Sequence, residues 1–138
     1  IGLANPNALL LANACFQAIE NVGWPESRII LSECTLYLAS SPKGNAAYMA
    51  INKAQQLVQQ TGNLSVPLPL RNAPSALMKE LGYGVGYHYS HDHPGNFINQ
   101  EFLPSAIIGT NFIAPGSSQK EQELADQIKK WWQDKYKF

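Results

Sequence analysis

The sequence predicts an all-α chain: a helical bundle first, an irregular Pro/Gly/Tyr-rich segment next and a helix at the end. Two observations carry this. Before residue 62, apolar side chains recur at three- and four-residue steps in three successive stretches separated by Gly and Pro. After residue 117, Ser118 and Glu121 form a capping box, and the stretch they open carries its acidic residues early and its basic residues late. The 138 residues fit one domain, with 1–62 as the bundle, 63–116 as strap, short helices and loops, and 117–138 as the last helix. A chain of this length buries about two-thirds of its unfolded surface.

Asn5-Pro6 starts the first helix, with Asn5 capping free amides and Pro6 at the first helical position, where its missing N–H costs nothing. Ala8, Ala12, Cys15, Phe16, Ile19 and Val22 form its apolar stripe, and Gly23 ends it in a left-handed cap. Leu9, Leu10 and Leu11 make its first turns apolar on nearly every side, which points to contacts on two faces. Pro25 opens a second helix reaching Ser40, with Ile30, Cys34, Tyr37 and Leu38 toward the core and Pro42 as its stop. A third helix, Asn45 to Gln60, carries Ala46, Ala47, Ala50, Ala54, Leu57 and Val58, and its small side chains allow close helix approach. Three antiparallel helices with short turns make a bundle up to Gly62.

The alternating prolines of Val66-Pro67-Leu68-Pro69-Leu70 predict an extended strap across that bundle. Pro74 begins a short helix that ends at Gly82 and buries Leu77, Met78 and Leu81 on one side. From Tyr83 to Pro115 only short pieces are expected. Pro94-Gly95 and Pro115-Gly116 are turns, Phe97, Phe102 and Phe112 are anchors, and Pro104 to Ile108 makes one helical turn. In the last helix Leu124, Ile128, Trp131 or Trp132, and Tyr136 form the apolar face.

Composition restricts function. Charged residues make up 14% of the chain, against about a quarter in an ordinary soluble domain. Part of the surface is therefore expected to be an interface. Ten basic and ten acidic residues cancel, which removes the global attraction that most nucleic-acid binders use. Cys15 and Cys34 each sit in an apolar helical pattern and read as buried free thiols. No stretch approaches the roughly 18 continuous apolar residues of a membrane span, and no charged-then-apolar leader is present, so a cytosolic chain without a membrane partner is expected.

Chemistry-bearing patterns are sparse. His88, His91, Asp92 and His93 are close in sequence but match no metal-ligand spacing, and Asp92-His93-Pro94-Gly95 reads as a polar turn. Gly82, Gly84 and Gly86 lack the spacing and context of a phosphate loop or a dinucleotide fingerprint. Ser32, Ser40 and Ser90 lie in no nucleophile elbow, and neither Cys has an adjacent His, so no catalytic residue, metal site or cofactor site is assigned. Arg71 either hydrogen-bonds helix-end carbonyls or pairs with Glu80 or Asp92, or else it contacts a neighbouring subunit or a phosphate. Tyr83, Tyr87, His88 and Tyr89 suit either stacking on single-stranded bases or packing at a protein interface.

The run Leu70-Arg71-Asn72-Ala73-Pro74, followed by Leu77 to Gly84, Gly86-Tyr87 and His91-Asp92, resembles the C-terminal domain of a family of AAA+ ATPases. These are the replication-associated recombination proteins of bacteria, with the Werner-helicase-interacting ATPase as eukaryotic relative. The resemblance extends from Ile1-Gly2-Leu3-Ala4-Asn5-Pro6 through Tyr37-Leu38-Ala39, Pro42-Lys43 and Asn45-Ala46, and weakens after Pro104. Val85 and His88 stand where basic residues are common in the family, and His88 and His93 where other side chains are common.

The resemblance implies a clamp-loader-collar-like, non-catalytic, tetramer-forming domain. It also implies that the chain, which opens at Ile1 without Met, is a fragment of a longer ATPase. The Walker and sensor motifs, and with them ATP and Mg, then belong to an N-terminal module. The implied partners are further copies of the chain in a homotetramer and, for the full-length protein, DNA ends and the single-strand-binding protein at stalled forks, in the cytoplasm at the nucleoid. Candidate interface or DNA-contact residues are Arg71, Asn72, Lys79, Tyr83, Tyr87, His91 and Asp92. Two other readings compete: a single-stranded-DNA-binding module on the Tyr-rich loop, and a metal-dependent hydrolase on the loop histidines.

Overall fold

A computed structural model describes residues Ile1–Lys137. Among them all regular structure is helical: α1 (Asn7–Val22), α2 (Ser27–Ser40), α3 (Ala46–Thr61), α4 (Ala76–Glu80) and α5 (Gln119–Trp132), with single 3-10 turns between and after them. The all-α expectation holds. The residues group into two compact units, Ile1–Ala54 with Phe112–Gln127, and Gln55–Asn111 with Ile128–Lys137. The α3 and α5 helices each contribute to both.

The first unit is built on an α1–α2 hairpin. Gly23, at φ 72°, turns the chain after α1, and its N–H caps the helix by donating to the Ile19 carbonyl. The two helices bury small side chains, Ala8 and Cys15 from α1, Ser27 and Cys34 from α2. Both cysteines are free thiols, as expected. Burial, and after it the neighbouring Cys34 thiol, pushes the Cys15 thiol above its ordinary pKa, so it is held neutral.

Two details differ from the sequence reading. Asn5 does not cap α1; its amide donates to Tyr37 Oη at 3.1 Å and Ser41 Oγ at 2.9 Å, clamping the N-terminal segment to the end of α2. The α2 helix begins two residues after Pro25, at Ser27. The α1 and α2 helices make the most extensive contact among the described α-helices, and the Ala46–Ala54 part of α3 belongs to the same compact unit. The inner face of α3 is mostly alanine: Ala46 is buried, and Ala50, Ala54 and Leu57 are half-buried.

At the start of α5 the capping box forms in a modified way. Glu121 N–H donates to Ser118 Oγ at 3.3 Å, and the Ser118 hydroxyl donates to Glu121 Oε2 at 2.7 Å. The glutamate side chain is 1% exposed. It is enclosed because Gly44 and Gly116 have no side chains: a Cβ would stand 2.9 Å from Glu121 Oε1 at Gly44 and 2.7 Å from Oε2 at Gly116. Pro115–Gly116 is not the expected turn; the bend falls at Ser117–Ser118, and Gly116 runs straight past the carboxylate.

In the second unit the chain is irregular, and side chains fix it. The last helix stops at Trp132 rather than running to the end; Gln133, at φ 50°, leads into a final 3-10 turn, Gln133–Lys135. Of the two tryptophans, Trp132 is the centre of the apolar face. Its ring lies 4.9 Å from Phe97, 6.0 Å from Phe102 and 5.4 Å from Tyr136 in edge-on contacts, while Trp131 stacks on the outside of Phe97 at 5.6 Å. Lys135 Nζ sits 4.7 Å over Trp132, donates to the Gln100 carbonyl at 2.6 Å and pairs with Glu101 at 3.4 Å. Phe97 and Phe102 are thus anchors, as predicted. The turn expected near Pro104 is the 3-10 turn Ser105–Ile107.

The surface is larger than the chain length predicts. It measures 10065 Å², where a compact monomer of this mass exposes about 7,100 Å². Two separate globules of half the mass would together expose only about 8,600 Å², so the arrangement of the two units does not account for the excess. Large apolar side chains are exposed on it, including Leu9, Leu10, Phe16, Ile29, Leu36 and Tyr48.

Candidate interaction site

The Leu70–Asp92 motif lies in the second unit. The strap ahead of it is not fully extended: Leu68–Leu70 closes a 3-10 turn, with Leu70 N–H donating to the Pro67 carbonyl at 3.0 Å and Arg71 N–H to the Leu68 carbonyl at 3.1 Å. A proline ring presets φ for such a turn, and Pro69 has no amide to leave unpaired inside it. Arg71 then folds back over the strap. Its Nε donates to the Val66 carbonyl at 2.6 Å, its Nη1 donates to Tyr83 Oη at 3.1 Å, and its guanidinium carbon is 4.9 Å from the Tyr83 ring centre. Neither Glu80 nor Asp92 is its partner; it holds a strap carbonyl and a tyrosine. Its Nη2 makes no hydrogen bond or ion pair among the described residues.

The α4 helix starts at Ala76, where Ser75 Oγ accepts from Met78 N–H at 3.3 Å, two residues later than Pro74 predicts. It ends in a left-handed wrap at Gly82, with Tyr83 N–H donating to the Met78 carbonyl at 3.0 Å. Two further turns follow, Val85 N–H to the Gly82 carbonyl and Tyr87 N–H to the Gly84 carbonyl. Gly84 is at φ 76°, and its N–H reaches the Leu68 carbonyl at 2.8 Å, tying the Tyr83–Tyr87 turns to the strap. Contrary to expectation, Leu77 and Leu81 are not buried: they are 64% and 56% exposed, and only Met78 is half-buried.

These turns split the motif. Arg71, Asn72 and Tyr87 share a cleft of about 500 Å³ with Pro69, Ala73 and Phe102, and Tyr83 holds Arg71 from beside it. Lys79 is exposed on α4 without a side-chain partner among the described residues. His91 and Asp92 lie in the 3-10 turn Ser90–Asp92, where the His91 ring is 5.1 Å from Tyr89 and Asp92 is exposed. The histidines also separate: His88 meets His93 edge-on at 5.9 Å, while His91 turns to Tyr89. No group of three or more His, Cys, Asp or Glu among the described residues is arranged to hold a metal ion. No described helix is long and apolar enough to cross a membrane.

Sequence reasoning missed the groups that brace this region. The Gln100 side chain bridges the backbone of His88, accepting from its N–H at 3.4 Å and donating to its carbonyl at 3.3 Å. Glu101 accepts from the amides of Phe102 at 2.9 Å and Leu103 at 2.8 Å. Partial burial works against its ionisation, but the Leu103 amide, the Lys135 ammonium and the Phe102 amide outweigh it and hold its carboxyl below the usual range. Burial, with the Glu101 charge nearby, pushes the Tyr136 hydroxyl above its ordinary pKa. The late basic charge of Lys135 was visible in the sequence; its place over the aromatic cluster was not.

Comparison with known proteins places this arrangement. The model of the family described as MgsA AAA+ ATPase, C terminal, matches residues 1–132. The chain is 40% identical over 136 residues to an uncharacterised protein of Thermotoga maritima, covering 99% of the chain and 22% of that protein. It is 39% identical over 129 residues to replication-associated recombination protein A of Coxiella burnetii, covering 93% of the chain and 29% of that protein. The ATPase WRNIP1 of Dictyostelium discoideum is 36% identical over 114 residues, covering 82% of the chain and 13% of that protein. The chain thus spans less than a third of the length of each of these relatives.

Proposed function

Because the chain belongs to the family of MgsA-type AAA+ ATPase C-terminal domains, we propose that it is the non-catalytic assembly region of a longer, DNA-dependent ATPase and that it gathers four copies into a homotetramer. In this reading ATP and Mg bind an N-terminal module. The assembled cytoplasmic protein acts in replication, recombination and repair at stalled forks, with DNA ends and the single-strand-binding protein as partners. The observation that carries it is the surface: 10065 Å² with apolar side chains exposed along α1, α2 and α3. Even against two separate globules the excess is about 1,500 Å², more than the roughly 800 Å² that one partner gives to a standard interface. The low charge content suits the same role, since interface cores are depleted in charge.

Light scattering over a range of concentrations tests this. A persistent mass near four times 15.2 kDa is expected for the chain. A monomer at every concentration, both for the chain and for the full-length protein, overturns the assembly reading.

One observation favours a second reading, single-stranded DNA bound by the motif cleft: the cleft is lined by a cation, Arg71, and two aromatic rings, Tyr87 and Phe102. If DNA binds there, affinity falls with salt, and Arg71→Ala flattens the slope by about one unit. Binding that is absent at low salt removes this reading.

A further inference from the structure

The segment that leads into α1 is packed and clamped in a way that a linker is not. Gly2–Ala4 closes a 3-10 turn, with Ala4 N–H donating to the Ile1 carbonyl at 3.2 Å, and Ala4 is 2% exposed. Gly2 runs so close to the connection between α2 and α3 that a Cβ on it would stand 3.2 Å from the Gly44 carbonyl oxygen. Asn5 then ties the segment to Tyr37 and Ser41. A flexible linker makes no such set of contacts.

Beside this segment lies an apolar cavity of about 480 Å³ whose walls include Ile1, Leu3, Pro6, Leu9, Leu38 and Ala47. No charged side chain among the described residues lines it. Asn5 is its one polar side chain, and that amide is already engaged by Tyr37 and Ser41. A small-molecule site carries a few convergent polar groups that orient its ligand. Here none is to spare, so the cavity suits apolar side chains of a polypeptide, and Leu9 in its wall is 77% exposed.

Length and place together identify that polypeptide. The chain matches a model of C-terminal regions, and it spans 22% of the Thermotoga relative and 29% of the Coxiella relative. In a protein of that kind most of the polypeptide precedes Ile1, and Ile1 itself lines the cavity. A segment joined there meets the cavity as an intramolecular partner, at an effective concentration on the order of millimolar, which gives it the advantage over a second copy in solution.

We infer that the segment immediately N-terminal to Ile1 in the longer protein seats apolar side chains in this cavity, against Leu9, Leu38 and Ala47, and so holds the upstream module in a fixed orientation on the helices of the first unit. This rests on the reading above that the chain is part of a longer ATPase, and it does not depend on the tetramer.

The test uses the full-length protein with a benzophenone amino acid in place of Leu9, whose exposure lets the replacement leave the fold intact, which circular dichroism checks. Unlabelled and heavy-isotope-labelled protein are mixed and irradiated, and the cross-linked peptides are identified by mass spectrometry. Cross-links to the peptide just ahead of Ile1, within chains of one isotope, are expected. Cross-links that join labelled to unlabelled chains overturn the inference, because a second copy then fills the cavity, and so does the lack of any cross-link ahead of Ile1. Leu9→Glu with Ala47→Glu gives an independent readout: charges in an apolar seat release the segment, and proteolysis ahead of Ile1 is expected to quicken about tenfold. Unchanged cleavage overturns the inference. Light scattering on the same samples separates it from the assembly reading, since a wild-type monomer that gives the expected cross-link removes the tetramer and supports the seated segment. A native protein of only 15.2 kDa has no segment ahead of Ile1 and removes the inference and the longer-ATPase reading together.

Discussion

In the first unit α1 and α2 are regular helices whose buried side chains are small, Ala8, Cys15, Ser27 and Cys34, while Leu9, Phe16, Ile29 and Leu36 face outward. In the second unit the chain from Leu64 to Asn111 has a single five-residue α-helix, and large side chains, Phe97, Phe102, Trp132 and Tyr136, are gathered around Lys135. The contrast shows that regular secondary structure and self-sufficiency are separate properties. A helix satisfies its own backbone and can leave its large side chains for a partner. An irregular segment has no helix ladder to satisfy its backbone, so it needs turns and side-chain clamps, even where it leaves side chains such as Leu77, Leu81 and Val85 exposed.

Replacing a large side chain in each unit breaks this comparison open. Trp132→Ala removes the ring on which Phe97, Phe102, Tyr136 and Lys135 converge, and should cost about 3 kcal/mol. Phe16→Ala, made on the outer side of α1, should change the stability of the unassembled chain by less than about 0.5 kcal/mol. Denaturant unfolding at low protein concentration measures both. Equal costs would mean that the outward face of α1 is part of the core of its own chain.

The first unit does have one tight point, and the next largest effect belongs there. In Gly116→Ala the new methyl would stand 2.7 Å from Glu121 Oε2, and a carboxylate that is 1% exposed has no free space to swing into. A loss of about 1–3 kcal/mol is expected. Adding Glu121→Ala removes the clash, so the double variant should lose less than the sum of the two single losses. Strict additivity would show that the glycine is required for some other reason.

These two sites also mark what the sequence could express. Helices were legible wherever one face was apolar and an end was marked: Gly23 after α1, Pro42 after α2, Ser118 with Glu121 before α5. Periodicity shows which face is apolar but not how much of it is covered: on α3 Ala46 is buried while Ile51 and Val58 are exposed. The motif was legible as an ordered segment, and Arg71 as its key charge. Its partners were not, because the Val66 carbonyl and the Tyr83 hydroxyl are brought to it by turns whose closure depends on Gly84 reaching Leu68. Burial of Glu121 was invisible for a similar reason: it arises from Gly44, far away in the chain, coming up against the capping box.

The Arg71–Tyr83 link sharpens the comparison within the second unit, between clamps that bury apolar area and clamps that only join polar groups. Tyr83→Phe keeps the ring beneath the guanidinium and deletes the 3.1 Å hydrogen bond, so about 1 kcal/mol is expected. A loss as large as that of Trp132→Ala would place Tyr83 among the apolar anchors instead.

The smallest effect comes from the Glu101–Lys135 pair, and its signature is pH rather than size. The carboxyl of Glu101 is held below its usual range in the folded chain, so the folded state favours the ionised form and binds fewer protons than the unfolded state as acid is added. Its contribution, about 1 kcal/mol at most for a partly exposed pair, is fully present above the ordinary glutamate range and disappears as pH falls through the depressed folded value. The stability difference between wild type and Glu101→Gln should therefore be flat from neutral pH down to that range and shrink below it. A difference that stays constant throughout would mean that Glu101 holds the Phe102 and Leu103 amides by hydrogen bonds a neutral side chain makes equally well, and that Lys135 is fixed by the aromatic rings and the Gln100 carbonyl alone.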